Sequence, residues 1–147
     1  MIAGTAQPHR GDADVLPKKS FLTLAHASIV VAAARAAAEA DGVAVTIVVT
    51  DASGEMLKLE RMDNAPLLSL LVAQGKAKTA AHMRLDTGQV GKLAEILPAL
   101  GTIPGVFPLP GGVPLWDQNE LVGAIGVSGG VGLEDQAVAE AGARALT

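Results

Sequence analysis

Cysteine is absent from the 147 residues. That excludes disulfides, CxxC redox pairs, thiolate nucleophiles, iron–sulfur ligand sets and covalent CxxCH haem attachment. Tyrosine is absent too, and the aromatic side chains amount to two Phe and one Trp. So few rings offer little for bases to stack on. The formal charge of −4, from 11 basic and 15 acidic residues, argues against a nucleic-acid partner, which would need a basic face. Nucleic acid is not an expected partner. No apolar run reaches the roughly 18–20 residues that a membrane span needs. The longest, Leu22 to Ala34, is interrupted by His26 and Ser28 and closed by Arg35. The polar residues Gln7, His9, Arg10, Asp12 and Asp14 stand where a secretory leader would be apolar. The expectation is a cytoplasmic protein with no membrane partner.

Alanine is abundant, at 27 residues, and small side chains let helices approach their neighbours closely. The length suits one domain, which can bury roughly 68–70% of its unfolded surface. Residues 1–19 mix Gly, Pro and charge without period and read as a flexible N-terminal arm. Residues 20–147 read as a single domain.

Thr23 is placed to cap a helix from Leu24 to about Asp41, with Gly42 as its terminator. Leu24, Ala27, Val31, Ala34 and Ala38 form its apolar stripe. Val43 to Thr50 reads as a central strand. Asp51-Ala52-Ser53-Gly54 then turns the chain into a second strand, Glu55 to Arg61. A helix follows Pro66, from Leu67 to about Arg84, with Leu67, Leu70, Leu71 and Gln74 on one face, continued by Ala77, Lys78 and Ala81. A shorter helix from Asp86 or Thr87 runs to Leu97. Gly101 to Pro114 reads as irregular, apart from a short strand around Val106 to Leu109. Val113 to Trp116 and Glu120 to Val127 form a second hairpin around Asp117-Gln118-Asn119. A last helix spans about Leu133 to Ala145. Hairpins imply an antiparallel sheet, with helices packed on it, and so an α/β (α+β) layered sandwich.

Several residue groups could carry chemistry. Arg61 offers a fork for a carboxylate, which Asp63 could orient. Lys76 and Thr79 share a helix face, and a half-buried lysine can act as base or anion anchor. The amides of Gly111, Gly112, Ser128 and Gly129 could hold an oxyanion. The glycine run from Gly123 to Gly132 fits neither GxxxxGK[ST] nor GxGxxG, so it is no nucleotide signature. The three histidines, His9, His26 and His82, form no metal-ligand spacing, and no metal centre is expected. His26 and His82 could each supply one axial ligand to a haem.

The chain then resembles a known family. The segments are Val48-Val-Thr-Asp51-Ala-Ser-Gly54, Arg61-Met62-Asp63-Asn64-Ala65, Lys76-Ala77-Lys78-Thr79-Ala80, Gly111-Gly112-Val113-Pro114, Gly123-Ala-Ile-Gly126-Val-Ser128-Gly129-Gly130 and Glu134-Asp135-Gln136. In order and spacing they resemble the GlcG/HbpS family, which includes the C-terminal domain of PduO-type proteins. The likeness covers about residues 20–146. Where the family usually has Gly-Ala after Arg-Met-Asp, this chain has Asn64-Ala65; Asn tolerates left-handed φ, so the turn can survive. The resemblance implies a profilin-like sandwich, a homo-oligomer and a small-molecule ligand, with haem or another tetrapyrrole as the expected cofactor. Relatives bind haem, sense redox stress or belong to small-molecule catabolism.

Two functions follow. In the first, a binding protein holds haem, with Arg61 and Lys76 as partners of its propionates. In the second, an isomerase-, tautomerase- or lyase-type enzyme acts on a small carboxylated metabolite. Arg61 would anchor that substrate, Lys76 would be the base or electrostatic stabiliser, and Asp63 would orient Arg61. A purely structural oligomer is a third reading, with the Ala-rich helices as subunit contacts.

Overall fold

The computed structural model describes Gly4 and residues 15–147, so most of the expected N-terminal arm, and His9, lie outside the described residues. The chain runs α1 (Leu24–Asp41), β1 (Thr46–Asp51), β2 (Met56–Arg61), α2 (Leu68–Met83), α3 (Thr87–Ile96), a 3-10 turn (Pro98–Thr102), β3 (Gly112–Asp117), β4 (Glu120–Ser128) and α4 (Gly132–Arg144). All strand pairs are antiparallel, in the order β2-β1-β4-β3. The two hairpins therefore lie side by side, with the apolar β1 and β4 at the centre. Pro114 sits on β3, an edge strand, where its missing N–H leaves no ladder bond unmade. The architecture is the expected layered α+β sandwich.

The sheet is buried on both faces. Val45, Ile47 and Val49 on one face join Ile125, Val127, Val138 and the α1 residues Ala27, Val30, Val31, Ala34 and Ala38 in the main core. Thr46, Val48 and Thr50 point the opposite way, as strand alternation requires. There Val48 meets Ala73 and Ala77 of α2, and Ala124 meets Ala80 and Ala81.

This second face corrects the leucine half of the expected α2 stripe, while Ala77 and Ala81 are buried as expected. Leu67, Leu68 and Leu71 are exposed, and the buried side is Ser69, Ala73, Lys76, Ala77, Thr79, Ala80 and Ala81. The cause is the short distance between helix and sheet. A Cβ added at Gly126 of β4 would stand 2.1 Å from the Ala73 carbonyl oxygen and 2.5 Å from the Ala77 nitrogen. Backbones that close admit alanine and exclude leucine. Leu24 is also exposed, because the buried face of α1 is centred on Val30 and Val31.

The strand expected at Val106 to Leu109 does not form. Pro104, Pro108 and Pro110 remove ladder donors, and side chains of the helices hold the segment instead. Thr79 Oγ1 donates to the Gly105 carbonyl at 3.2 Å and accepts from the Phe107 N–H at 3.0 Å. Thr87 Oγ1 donates to the Leu109 carbonyl and accepts from the Gly112 N–H. Residues 103–111 are thus a strap pinned over α2 and α3. Among the described residues, no helix is long and apolar enough to cross a membrane.

Candidate ligand site

The expected catalytic constellation does not assemble. Lys76 is only 2% exposed and Asp135 only 3%. Lys76 Nζ donates to Asp135 Oδ2 at 3.0 Å and to the Val127 carbonyl at 2.9 Å. Asp135 Oδ1 in turn accepts from the Gly130 N–H at 2.8 Å. The lysine therefore ties α2 to the end of β4 and the start of α4. It is buried, as the sequence suggested, but both its contacts are to groups of the fold, Asp135 and the Val127 carbonyl. A Cβ at Gly111 would stand 2.9 Å from Nζ, so a glycine there leaves the ammonium its room.

The neighbouring amides are also engaged. Gly111 N–H donates to Gln136 Oε1 at 2.9 Å, and Gly112 N–H donates to Thr87 Oγ1 at 2.8 Å. These two donors are taken by the fold, so they hold no oxyanion. Ser128 lies in the β1–β4 ladder opposite Thr46. Gly129 has φ of 142°, and a Cβ on it would stand 2.4 Å from the Ala44 carbonyl oxygen, so close backbone approach requires glycine there. Gln136 bridges further. Its Nε2 donates to Asp86 Oδ2 at 3.1 Å and to Glu140 Oε1 at 2.9 Å. Burial pushes the Asp86 carboxyl above its ordinary value. The Glu140 charge adds to the rise, and the Gln136 hydrogen bond opposes it.

Arg61 and Asp63 are both exposed. They line an open cleft of about 420 Å³ with Arg35, Glu39, Glu60 and Met62, and Lys76 is not in it. Arg35 Nη1 is held by both Glu60 carboxylate oxygens, at 2.7 and 2.6 Å. Arg61 and Lys76 therefore do not share this cleft.

The histidines part company as well. His82 Nε2 lies 2.8 Å from the Ser53 carbonyl oxygen. A carbonyl can only accept, so Nε2 carries the proton. His82 clasps the β1–β2 turn, where Gly54 has φ of 85°, and Nε2 is not free to ligate. His26 stands in the first turn of α1. Its Nδ1 is 2.7 Å from Thr23 Oγ1, and its backbone N–H donates to the same oxygen at 3.2 Å. The Thr23 cap expected from the sequence is present, and it also grips the ring.

His26 opens on a cleft of about 420 Å³ walled by Phe21, Leu22, Trp116, Val122 and Leu146. Sequence reasoning missed this set. Its members come from before α1, from both strands of the second hairpin and from after α4, so no local spacing links them. The one available signal was the single tryptophan. An adjoining cleft of about 510 Å³ shares Phe21, Leu22 and Val122 and adds Lys19 at its rim.

The family model described as "Haem degrading protein HbpS-like" matches residues 22–144. The chain belongs to the HbpS-like family. It is 36% identical to Protein GlcG of Escherichia coli (strain K12) over 111 residues, covering 75% of this chain and 83% of GlcG. A crystal structure of an HbpS double mutant from Streptomyces reticuli superposes with a TM-score of 0.86 at 36% identity, covering 99% of each chain. The crystal structure of a PduOC–haem complex superposes with a TM-score of 0.80 at 28% identity, covering 86% of this chain and 95% of that one. The resemblance read from the motifs is thereby established, and with it the α+β architecture of this HbpS-like chain.

Proposed function

We propose that this HbpS-like protein binds haem, or a closely similar tetrapyrrole, in the cleft beside His26, with His26 Nε2 as the protein ligand to iron. The observation that carries the reading is the state of that ring. Thr23 holds its Nδ1 edge, while Nε2 makes no hydrogen bond among the described residues. A tethered imidazole with a free second nitrogen is the usual form of a histidine ligand. The walls fit the group. Phe21, Leu22, Trp116 and Val122 give apolar and aromatic surface, and the volume lies within the roughly 300–1,000 Å³ of small-molecule sites. Lys19, at the rim of the adjoining cleft, is a cation suited to a propionate. Bound there, haem would supply an iron that takes Nε2 on one face and can change oxidation state. The haem complex of PduOC, a relative of the same fold, supports the choice of ligand. Exposed Leu67, Leu68, Leu71, Ile96, Leu97 and Ile103 favour the further reading that the chain functions as a homo-oligomer.

Haemin titration of the purified protein, followed by absorbance, tests the ligand. A saturable Soret band that His26→Ala removes or shifts is the expected result. Absorbance that rises without saturating, or a band indifferent to His26→Ala, overturns the site.

A further inference from the structure

Resting on that reading of the cleft, we infer that Thr23 is the positioning residue for the iron ligand: its hydroxyl oxygen accepts the hydrogen bond of the Nδ1–H that His26 must carry when Nε2 binds iron. A neutral imidazole has one ring proton. If Nε2 gives its lone pair to a metal, that proton stands on Nδ1. The hydrogen-bond partner of Nδ1 is Thr23 Oγ1, 2.7 Å away. A hydroxyl oxygen has two acceptor lone pairs. The His26 backbone N–H takes one at 3.2 Å, and the other faces the ring. In the free protein the hydroxyl can instead donate to Nδ1; ligation fixes the direction, with Nδ1–H donating and the hydroxyl proton turned away.

The placement is a product of helix capping. Thr23 has φ of −82° and ψ of 162°, the extended backbone of an N-cap residue, so its side chain folds back over the first turn. His26 is three residues on, at N3, where a capping box would set a glutamate. Here the N3 side chain is an imidazole, so the cap that starts α1 also sets the ring's orientation toward the cleft. One oxygen thus couples the helix start to the ligand geometry. Outer partners of this kind are typically worth about 10–100-fold in metal affinity.

Three variants separate this role from capping alone. Thr23→Ser keeps both functions. Thr23→Asp also caps helices, and as a pure acceptor it pulls harder on Nδ1–H and makes Nε2 a stronger donor to ferric iron. Thr23→Val loses the cap and the acceptor. Each is titrated with haemin, with circular dichroism to check the fold, and the reduction midpoint of each complex is measured. The expected results are wild-type behaviour for Thr23→Ser, a more negative midpoint for Thr23→Asp, and about tenfold or greater loss of affinity for Thr23→Val. Should Thr23→Val fail to fold, the Thr23→Asp midpoint decides. Loss of the haem complex in His26→Ala, with Thr23→Val at wild-type affinity and Thr23→Asp at the wild-type midpoint, overturns this inference alone. A His26→Ala protein that binds haem like the wild type overturns the cleft assignment and this inference with it.

Discussion

At the scale of single residues, charge burial decides the consequences. The Lys76–Asp135 pair is almost sealed from water, so removing one partner strands the other in a low-dielectric site. Lys76→Met should cost about 3–5 kcal/mol in urea unfolding, whereas Lys76→Met with Asp135→Leu should recover much of that loss. A fall in stability confined to a few tenths of a kcal/mol would show the pair to be solvated. Asp86 presents the opposite case. Its carboxyl is raised chiefly by burial, so the folded state holds this proton more tightly than the unfolded chain does. The stabilisation that protonation brings is complete below the ordinary value of 3.8 and is lost as pH rises through the raised folded value. Asp86→Asn keeps an oxygen for Gln136 and removes the charge beside Glu140. It should raise the melting temperature near neutral pH, and the gain should shrink as the solution is acidified toward that ordinary value. None of this was readable from spacing. Spacing put Lys76 on one helix face with Thr79, but its partner Asp135 lies 59 positions away.

At the scale of elements, α2 depends on glycines and alanines rather than on its leucines. Gly126→Ala would drive a methyl group into the α2 backbone. We expect destabilisation of about 1–3 kcal/mol, measured by urea midpoint, because neither α2 nor β4 can withdraw. The strap over α2 hangs on Thr79. Thr79→Val should leave the Phe107 N–H without its acceptor and raise hydrogen exchange across residues 105–107, with a loss of about 1 kcal/mol. The helix and strand positions followed from periodicity and capping. The face that α2 buries did not, because leucine spacing marks an apolar stripe but says nothing of how near the opposing backbone comes. The strand expected at Val106 to Leu109 failed for a related reason: β-forming residues between prolines had no ladder to join, and two threonine hydroxyls took their polar groups.

At the scale of the whole molecule, two surfaces matter, the His26 cleft and the outer apolar side chains. Leu68 is 67% exposed and Leu71 60%, so they contribute little to the single chain's own core. If they are subunit contacts, sedimentation should give a mass above that of one chain. Leu68→Asp with Leu71→Asp should then lower that mass while leaving the secondary structure unchanged; a wild-type protein that sediments as a monomer at all concentrations would refute the contact. The sequence by itself determined the four helices, both hairpins, the antiparallel sheet, the Thr23 cap and the family, because each is written in local pattern or motif order. Only the tertiary structure decided that Arg61 and Lys76 stand apart, that Lys76 is sealed against Asp135, and that His26 faces Trp116 and Phe21 across one cleft. These are contacts between residues far apart in the chain. How closely α2 settles on Gly126 is likewise fixed by two backbones meeting, and a linear pattern does not encode that distance.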